Sequence, residues 1–185
     1  MSDKLLIYNA DFIDRDTCIK NGALLLADRV ITGFVSAEEA ERLKSDPSVN
    51  KYDAKGLTVM PSFVDMHAHF RDPGFTEKED LESGCRAAAA GGFGTLVLMP
   101  NTNPVISSED AALDNMIKAA VAKCARVYQA VSITKDFAGK DVSHLKELEP
   151  VNVPLISEDG KEVCDSAIML EGMKIAKEKG IVVSC

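Results

Sequence analysis

The sequence predicts an α/β protein in which a small β-rich region precedes the first part of a TIM-like (β/α)8 barrel. Residues 4–35 form short apolar runs separated by polar turns, a pattern typical of neighbouring antiparallel strands. From residue 57 onward, apolar runs alternate with helical stretches, which is typical of βαβ units and a parallel sheet. The chain is therefore expected to divide into a partial β-rich domain, residues 1–56, and a truncated barrel domain, residues 57–185.

The β-rich region is predicted to be a meander followed by one short helix. Its strands are expected at residues 5–8, 23–26 and 30–35, with turns at residues 9–11 and 20–22. A helix is expected at residues 37–44, because the Ser36 hydroxyl can accept a hydrogen bond from the first turn. The residues that follow this helix, which include Pro47, are expected to form a loop.

The barrel region is predicted to contain five parallel strands with helices between them. The strands are expected at residues 57–64, 95–99, 127–133, 153–156 and 181–184. The helices are expected at residues 77–90, 109–123, 142–149 and 166–179. Glycines close the first and the last of these helices. A polar loop is expected to begin at Asp65, directly after the first strand.

This order of elements favours a barrel over a doubly wound sheet. The glycine-rich fingerprint of dinucleotide-binding sheets does not follow the first strand. A closed barrel needs eight strands and about 250 residues, so five strands would leave the barrel incomplete. The 185 residues are therefore expected to be a fragment of a longer protein.

Composition favours a small molecule as the partner. The net charge of −8 argues against nucleic acid and anionic membranes, both of which need a basic protein surface. Acidic residues within the first 20 positions argue against a secretory signal, and no apolar run approaches the length of a membrane span. The five cysteines lack paired spacing and are interpreted as reduced, mostly buried side chains rather than disulfides or zinc ligands. A cytoplasmic protein is expected.

Two of the three histidines lie at the end of the first barrel strand. His67 and His69 are two residues apart, so their side chains lie on the same side of an extended segment and can reach one cation. Neutral imidazole is a good zinc ligand, and enzymes with this architecture do their chemistry at the carboxyl ends of the barrel strands. Alone, such a pair is more often two ordinary polar residues than a metal site. The third histidine, His144, is expected to lie on the surface.

Other polar residues near these strand ends are candidates for binding. Arg71 lies two residues beyond His69, and its guanidinium can hold a carboxylate through paired hydrogen bonds, although it could also be a solvated surface side chain. The amide of Asn101 can add a donor or simply form a turn. After the fourth strand, a carboxylate of the Glu158-Asp159-Gly160 segment can bridge two cations, unless the segment is merely a turn.

Three segments resemble the signature of the dihydroorotases, a family of zinc-dependent cyclic amidohydrolases. They are residues 61–75, 88–95 and 99–104, which read PSFVDMHAHFRDPGF, AAAGGFGT and MPNTNP. The resemblance implies a barrel of the metal-dependent hydrolase type. It implies that His67 and His69 bind the more buried of two zinc ions and that Asp159 bridges the two. It also implies that Arg71 and Asn101 hold the carboxylate of the substrate.

The activity implied by this resemblance is the reversible hydrolysis of dihydroorotate to N-carbamoyl-L-aspartate in pyrimidine biosynthesis. Two related activities compete with it. Dihydropyrimidinases use a carboxylated lysine on the corresponding strand, which residues 153–156 lack, and allantoinases usually lack the arginine found here at Arg71. A third alternative is a non-catalytic dihydroorotase-like scaffold, against which the retained His67 and His69 argue.

Family members continue with further histidine ligands and with an aspartate that acts as the general base. These residues would lie beyond Cys185, so no catalytic base is assigned within this chain. The chain alone is therefore expected to be inactive. The expected partners are the small-molecule substrate and either a second copy of the chain or another enzyme of the pyrimidine pathway.

Overall fold

The computed structural model describes residues 3–185, which form two compact units. The first unit ends at Pro61, and the second comprises Ser62–Cys185. No helix in the described part of the chain is long and apolar enough to cross a membrane.

The first unit is a five-stranded sheet with one helix. Its strands are β1 Lys4–Ile13, β2 Cys18–Ala27, β3 Val30–Phe34, β4 Val49–Asp53 and β5 Thr58–Val59. The first three strands pair antiparallel in the order β3-β2-β1, which is the predicted meander, and β4 and β5 pair in parallel with β1. Helix α1, Ala37–Ser45, follows β3, and the Ser36 hydroxyl accepts a hydrogen bond from the Glu39 N–H as predicted. Leu6 and Leu43 lie in the core between helix and sheet.

Two predicted turns in this unit are wrong, because the strands run through them. Asn9 and Asn21 lie inside β1 and β2 with left-handed backbone angles, φ 60° and 47°. The pairing of β1 with β2 shifts register on both sides of Ala10, so this segment is a bulge rather than a turn. The turn lies at residues 14–17, where the Asp14 carboxylate accepts hydrogen bonds from the N–H groups of Asp16 and Thr17.

The second unit alternates parallel strands with helices. Its strands are β6 Phe63–Ala68, β7 Phe93–Leu98, β8 Arg126–Gln129, β9 Val131–Ser132, β10 Leu155–Ser157 and β11 Val182–Ser184. Its helices are α2 Leu81–Ala90, α3 Glu109–Ala120 and α4 Ser166–Lys179, with short 3-10 segments at Lys135–Phe137 and Ser143–Glu147. The strands pair in the sequential orders β6-β7-β8 and β9-β10-β11, always in parallel. The predicted alternation of parallel strands and helices is therefore present, without a reversal of strand order in Ser62–Cys185.

Several predicted boundaries in the second unit are wrong. The strand predicted at residues 57–64 is interrupted, because β5 ends at Val59 and β6 begins at Phe63, and the loop expected at Asp65 is part of β6. Helix α2 begins four residues later than predicted, because the Asp80 carboxylate caps it by accepting from the Ser83 N–H. The third predicted strand is divided into β8 and β9 at Ala130, and the helix predicted at residues 142–149 is only the second 3-10 segment. The last helix matches the prediction in full.

The core of the second unit lies between the strands and the helices that connect them. One buried cluster includes Leu96, Leu98 and Cys85, and a second includes Ile133, Ile156 and Ile175. Cys85 is the one buried cysteine of the five, and the expectation that most would be buried is wrong. Apolar packing thus fixes the strands, and the residues beyond their carboxyl ends lie outside these two clusters.

Candidate metal centre

Three side chains of the types that bind metal ions meet at the carboxyl ends of β6 and β10. His67 lies within β6, His69 follows it, and Asp159 lies two residues after β10. The His67 Nε2 atom is 3.3 Å from one Asp159 carboxylate oxygen, and the His69 Nε2 atom is 3.4 Å from the other. One ligand atom from each residue lies within 4.8 Å of the other two. The two strand ends therefore present two imidazole nitrogens and a carboxylate to one point.

Asn101, in the loop after β7, orients two members of this group. Its Oδ1 atom is 3.0 Å from His69 Nδ1, and its Nδ2 atom donates to an Asp159 carboxylate oxygen at 3.0 Å. Because an amide oxygen only accepts, His69 Nδ1 carries the proton and donates it. In the neutral imidazole the lone pair then lies on Nε2, on the side that faces Asp159. Metal-bound histidines commonly have this tautomer, with the second ring nitrogen held by an outer partner.

The spacing of the donor atoms fits a zinc ion. Zinc bonds to imidazole nitrogen and carboxylate oxygen are about 2.0–2.1 Å long, so ligands in tetrahedral geometry lie roughly 3.3–3.4 Å apart. The two nitrogen–oxygen distances, 3.3 and 3.4 Å, are close to this separation, and each ends at a different oxygen of the Asp159 carboxylate. The side chain of His67 is 47% exposed and that of Asp159 is 28% exposed, so solvent reaches the group. The donor set can thus hold a cation and leave room for a further ligand.

The neighbouring carboxylate, Glu158, is hydrogen-bonded to Thr134 and does not belong to this group. It is 8% exposed, and its two oxygens accept hydrogen bonds from the backbone N–H and the hydroxyl of Thr134. Gly160 follows with φ +83°, and a Cβ there would lie 3.2 Å from Asn101 Nδ2. A side chain at this position would be strained and would crowd Asn101. Only one of the two adjacent carboxylates therefore contributes to the metal-binding group.

Arg71 lies in a loop whose backbone is fixed but whose guanidinium has no partner. The Arg71 N–H donates to the Glu79 carbonyl, and its carbonyl accepts from the Phe75 N–H. Among residues 3–185 its half-buried side chain makes no hydrogen bond and no ion pair. Close packing of Gly74, φ +97°, joins this loop to the one that holds Asn101, because a Cβ on Gly74 would lie 2.1 Å from the Asn103 carbonyl oxygen. The structure brings the two loops together but records no contact between Arg71 and Asn101.

Two buried amides that the sequence interpretation missed support these loops. Asn115 Nδ2 donates to the Asp72 carbonyl at 3.1 Å and to the Gln129 side-chain oxygen at 3.2 Å. Gln129 Nε2 donates in turn to the Leu98 carbonyl at the end of β7. Both side chains are fully buried. A glutamine within the apolar run at residues 127–133 was the available signal, because a polar residue inside a buried strand needs partners.

The third histidine was wrongly expected at the surface. His144 is buried, and its Nε2 atom donates to the Ser132 carbonyl at 2.9 Å, which ties the second 3-10 segment to β9. Its sequence neighbours are mostly polar, so the local sequence did not indicate this burial. His144 does not belong to the group formed by His67, His69 and Asp159.

The fold resembles that of solved hydantoinase structures. An L-hydantoinase (dihydropyrimidinase) from Arthrobacter aurescens superposes with a TM-score of 0.77, covering 99% of this chain and 40% of that chain. The two sequences are only 20% identical, so this likeness concerns the fold. The chain therefore has the fold of the corresponding part of this hydantoinase.

Comparison with known sequences identifies the family to which the chain belongs. The family described as "Dihydro-orotase-like" matches residues 56–185. A dihydroorotase from Clostridium botulinum is 43% identical over 180 residues, which cover 97% of this chain and 44% of that protein. A dihydroorotase from Clostridioides difficile is 44% identical over 142 residues, which cover 76% of this chain and 33% of that protein. The chain belongs to the dihydroorotase-like family, as its motifs predicted, and it spans less than half the length of these curated relatives.

Proposed function

We propose that this chain provides metal-binding and substrate-binding residues of a zinc-dependent dihydroorotase, which interconverts dihydroorotate and N-carbamoyl-L-aspartate. The observation that carries the proposal is the convergence of His67, His69 and Asp159, with Asn101 holding His69 in the tautomer of a metal ligand. Membership of the dihydroorotase-like family supports the choice of reaction.

In this proposal, His67, His69 and Asp159 would hold one zinc ion, and Asp159 would be shared with a second. When bound, zinc polarises the amide carbonyl and lowers the pKa of a bound water towards about 7, so that hydroxide is available at neutral pH. The chain contributes the orientation of the ligands. Asn101 fixes the His69 ring through Nδ1 and fixes the Asp159 carboxylate through its own amide N–H.

Arg71 is proposed to bind the carboxylate that dihydroorotate and carbamoyl-aspartate share. Its guanidinium has no acceptor among the described residues, so an incoming anion does not have to displace one. Asn101 can assist, because a primary amide has two N–H donors and only one is used by Asp159. The packing of Gly74 against Asn103 holds the two loops in place for such a shared contact.

The second unit is proposed to be the first part of a (β/α)8 barrel. Supporting this, the strands from β6 to β11 follow one another in parallel, and β6 is the edge of its sheet within Ser62–Cys185. Phe63, Val64 and Met66 on this edge strand are each at least half exposed. In the proposed barrel, further strands would cover them, because apolar side chains on an edge strand favour pairing.

The substrate proposal can be tested by comparing two ring compounds that differ by one group. Dihydroorotate and dihydrouracil share the ring, but only dihydroorotate carries the carboxylate. Binding of each to the zinc-loaded chain should be measured by calorimetry or by ligand-observed NMR. We expect dihydroorotate to bind and dihydrouracil to bind much more weakly. Equal binding of both compounds would contradict the assignment to dihydroorotase and favour a dihydropyrimidinase.

A further inference from the structure

We propose that Glu158 is a positioning residue that fixes the Asp159 carboxylate in front of His67 and His69. This inference rests on the proposed metal centre, since it assigns a role in that site to a residue that does not touch the cation. It is based on the contrast between two adjacent carboxylates after β10. Glu158 is buried, whereas Asp159 is partly exposed and lies beside the histidines.

The burial of Glu158 needs an explanation. A carboxylate that is 8% exposed is costly unless it is paired or well hydrogen-bonded, and Glu158 has no cationic partner among the described residues. Instead, one of its oxygens accepts from the Thr134 N–H at 2.9 Å and the other from the Thr134 hydroxyl. Hydrogen bonds to an ionised acceptor are roughly twice as strong as neutral ones. The carboxylate is therefore held at both oxygens by a single residue.

Thr134 is itself a fixed point. It is fully buried two residues beyond β9, and its hydroxyl oxygen also accepts from the Gly139 N–H at 3.0 Å. Its carbonyl accepts from the Phe137 N–H in the 3-10 segment that follows. Glu158 thus ties the end of β10 to a rigid turn after the neighbouring strand β9.

Fixing Glu158 determines where Asp159 points. Glu158 is the first residue of the turn that contains Asp159, so holding the Glu158 carboxylate at Thr134 fixes the start of that turn, from which the Asp159 side chain extends. The segment is closed by a hydrogen bond from the Lys161 N–H to the Glu158 carbonyl, and the Asp159 N–H donates to the Ser157 hydroxyl. Asp159 needs this support because, among residues 3–185, its own carboxylate accepts a hydrogen bond only from Asn101.

A competing explanation is that Glu158 acts through its negative charge, which would favour a nearby cation. The two explanations predict opposite results for the two conservative substitutions. Glu158→Gln keeps the length of the side chain, and its amide can accept from the Thr134 N–H and donate to the Thr134 hydroxyl oxygen. Glu158→Asp keeps the charge but is one methylene shorter, so it cannot reach Thr134 from the same backbone.

Zinc affinity of the full 185-residue chain, measured by competition with a chromophoric chelator, distinguishes these explanations. We expect Glu158→Asp and Thr134→Val to weaken zinc binding by about 10–100-fold, as the loss of an outer partner of a ligand does. Glu158→Gln and Thr134→Ser should stay within about threefold of the unmodified chain. The matched control is Glu162→Gln, which removes an exposed carboxylate from the same loop. Normal affinity in Glu158→Asp with weakened affinity in Glu158→Gln would overturn the proposal in favour of the charge.

A second readout does not depend on zinc. The chain has three histidines, so their ring-proton NMR signals can be assigned with single substitutions and compared at one pH in the metal-free protein. In Glu158→Asp, the signals of His67 and His69 should move towards their positions in Asp159→Asn, while that of His144 stays. Unchanged signals in Glu158→Asp would overturn the positioning role.

The two readouts also separate this inference from the proposed metal centre. If the chain binds zinc no better than His67→Ala, the metal centre is wrong, and the histidine signals alone then decide whether Glu158 positions Asp159. The thermal midpoint of each variant should be recorded as well. A lower midpoint with unchanged zinc affinity and unchanged histidine signals would mean that Glu158 only stabilises the fold, which contradicts the proposal.

Discussion

At the ends of β6 and β10, the side chains contact one another. In the loop that follows His69, by contrast, hydrogen bonds fix the backbone but not the Arg71 side chain. The Nε2 atoms of His67 and His69 each lie within 3.4 Å of an Asp159 carboxylate oxygen. Asn101 is hydrogen-bonded to both His69 and Asp159. Arg71, two residues further, has a fixed backbone and a guanidinium without a partner in the described chain.

This difference follows from what each region would bind. Ligands of a small cation must converge before it arrives, and outer hydrogen bonds hold them there. A guanidinium that awaits an anion needs only a fixed attachment point, because the anion itself supplies the acceptors. Changes in the first region should therefore alter metal binding, and changes in the second should alter substrate binding alone.

The largest expected effect of this kind is that of Arg71→Ala on binding of dihydroorotate. Loss of a charge-assisted contact should weaken binding to the zinc-loaded chain by roughly 2–4 kcal/mol, while zinc affinity stays normal. Calorimetry measures both quantities on one preparation. The matched control is Arg86→Ala, which removes an exposed arginine that pairs with Glu82 on α2. A parallel loss of zinc in Arg71→Ala would mean that the two regions are not separate.

Asn101→Ala should affect both regions, since Asn101 contacts two proposed ligands and lies in the loop packed against that of Arg71. We expect zinc affinity to fall by about 10–100-fold, because His69 and Asp159 both lose their outer partner. Dihydroorotate binding should fall as well. Asn103→Ala serves as the control in the same loop. Normal zinc affinity in Asn101→Ala, measured by chelator competition, would show that Asn101 does not orient the ligands.

Gly74→Ala tests whether the close packing of the two loops matters. The new Cβ would lie 2.1 Å from the Asn103 carbonyl oxygen, and φ is +97°. We expect a loss of about 1–3 kcal/mol in the free energy of unfolding, measured by denaturant titration. Gly139→Ala has a similar φ of +71° with nothing within 4 Å, so it carries the strain without the crowding. Equal losses in both variants would mean that the contact between the loops contributes nothing.

The smallest expected effect concerns Cys85, which reports whether a variant disturbs the core. Burial raises the pKa of the Cys85 thiol to about 11, so little thiolate is present at pH 8. We expect iodoacetamide to modify exposed Cys124 first and Cys85 only on unfolding, as followed by mass spectrometry. Alkylation of both at the same rate in the folded chain would show that α2 does not pack as described.

Local sequence signals predicted part of this molecule well. The helix at residues 166–179 was predicted in full, because its apolar periodicity ends at Gly180, which has a left-handed backbone. Asn9 and Asn21 were misread because the tolerance of asparagine for left-handed angles suits both turns and bulges. The two-residue spacing of His67 and His69 predicted that their side chains lie close together, because side chains alternate along an extended segment.

Contacts between distant segments could not be predicted in this way. Nothing near Glu158 in the sequence indicates that Thr134, 24 residues earlier, takes its carboxylate. His144 is likewise buried and bonded to the Ser132 carbonyl of β9, although its sequence neighbours are mostly polar. Such partners are set by strand order, which brings the ends of neighbouring strands together only after folding.

The most direct test of the metal centre is zinc affinity of the unmodified chain, His67→Ala and His144→Gln, measured by chelator competition. Removal of an outer partner of a ligand weakens metal binding by about 10–100-fold, and we predict that His67→Ala weakens zinc binding by more than this. His144→Gln changes a buried histidine outside the group and should keep the zinc affinity of the unmodified chain. Equal affinity of His67→Ala and the unmodified chain, or an equal loss in His144→Gln, would contradict the assignment of His67, His69 and Asp159 as the zinc ligands.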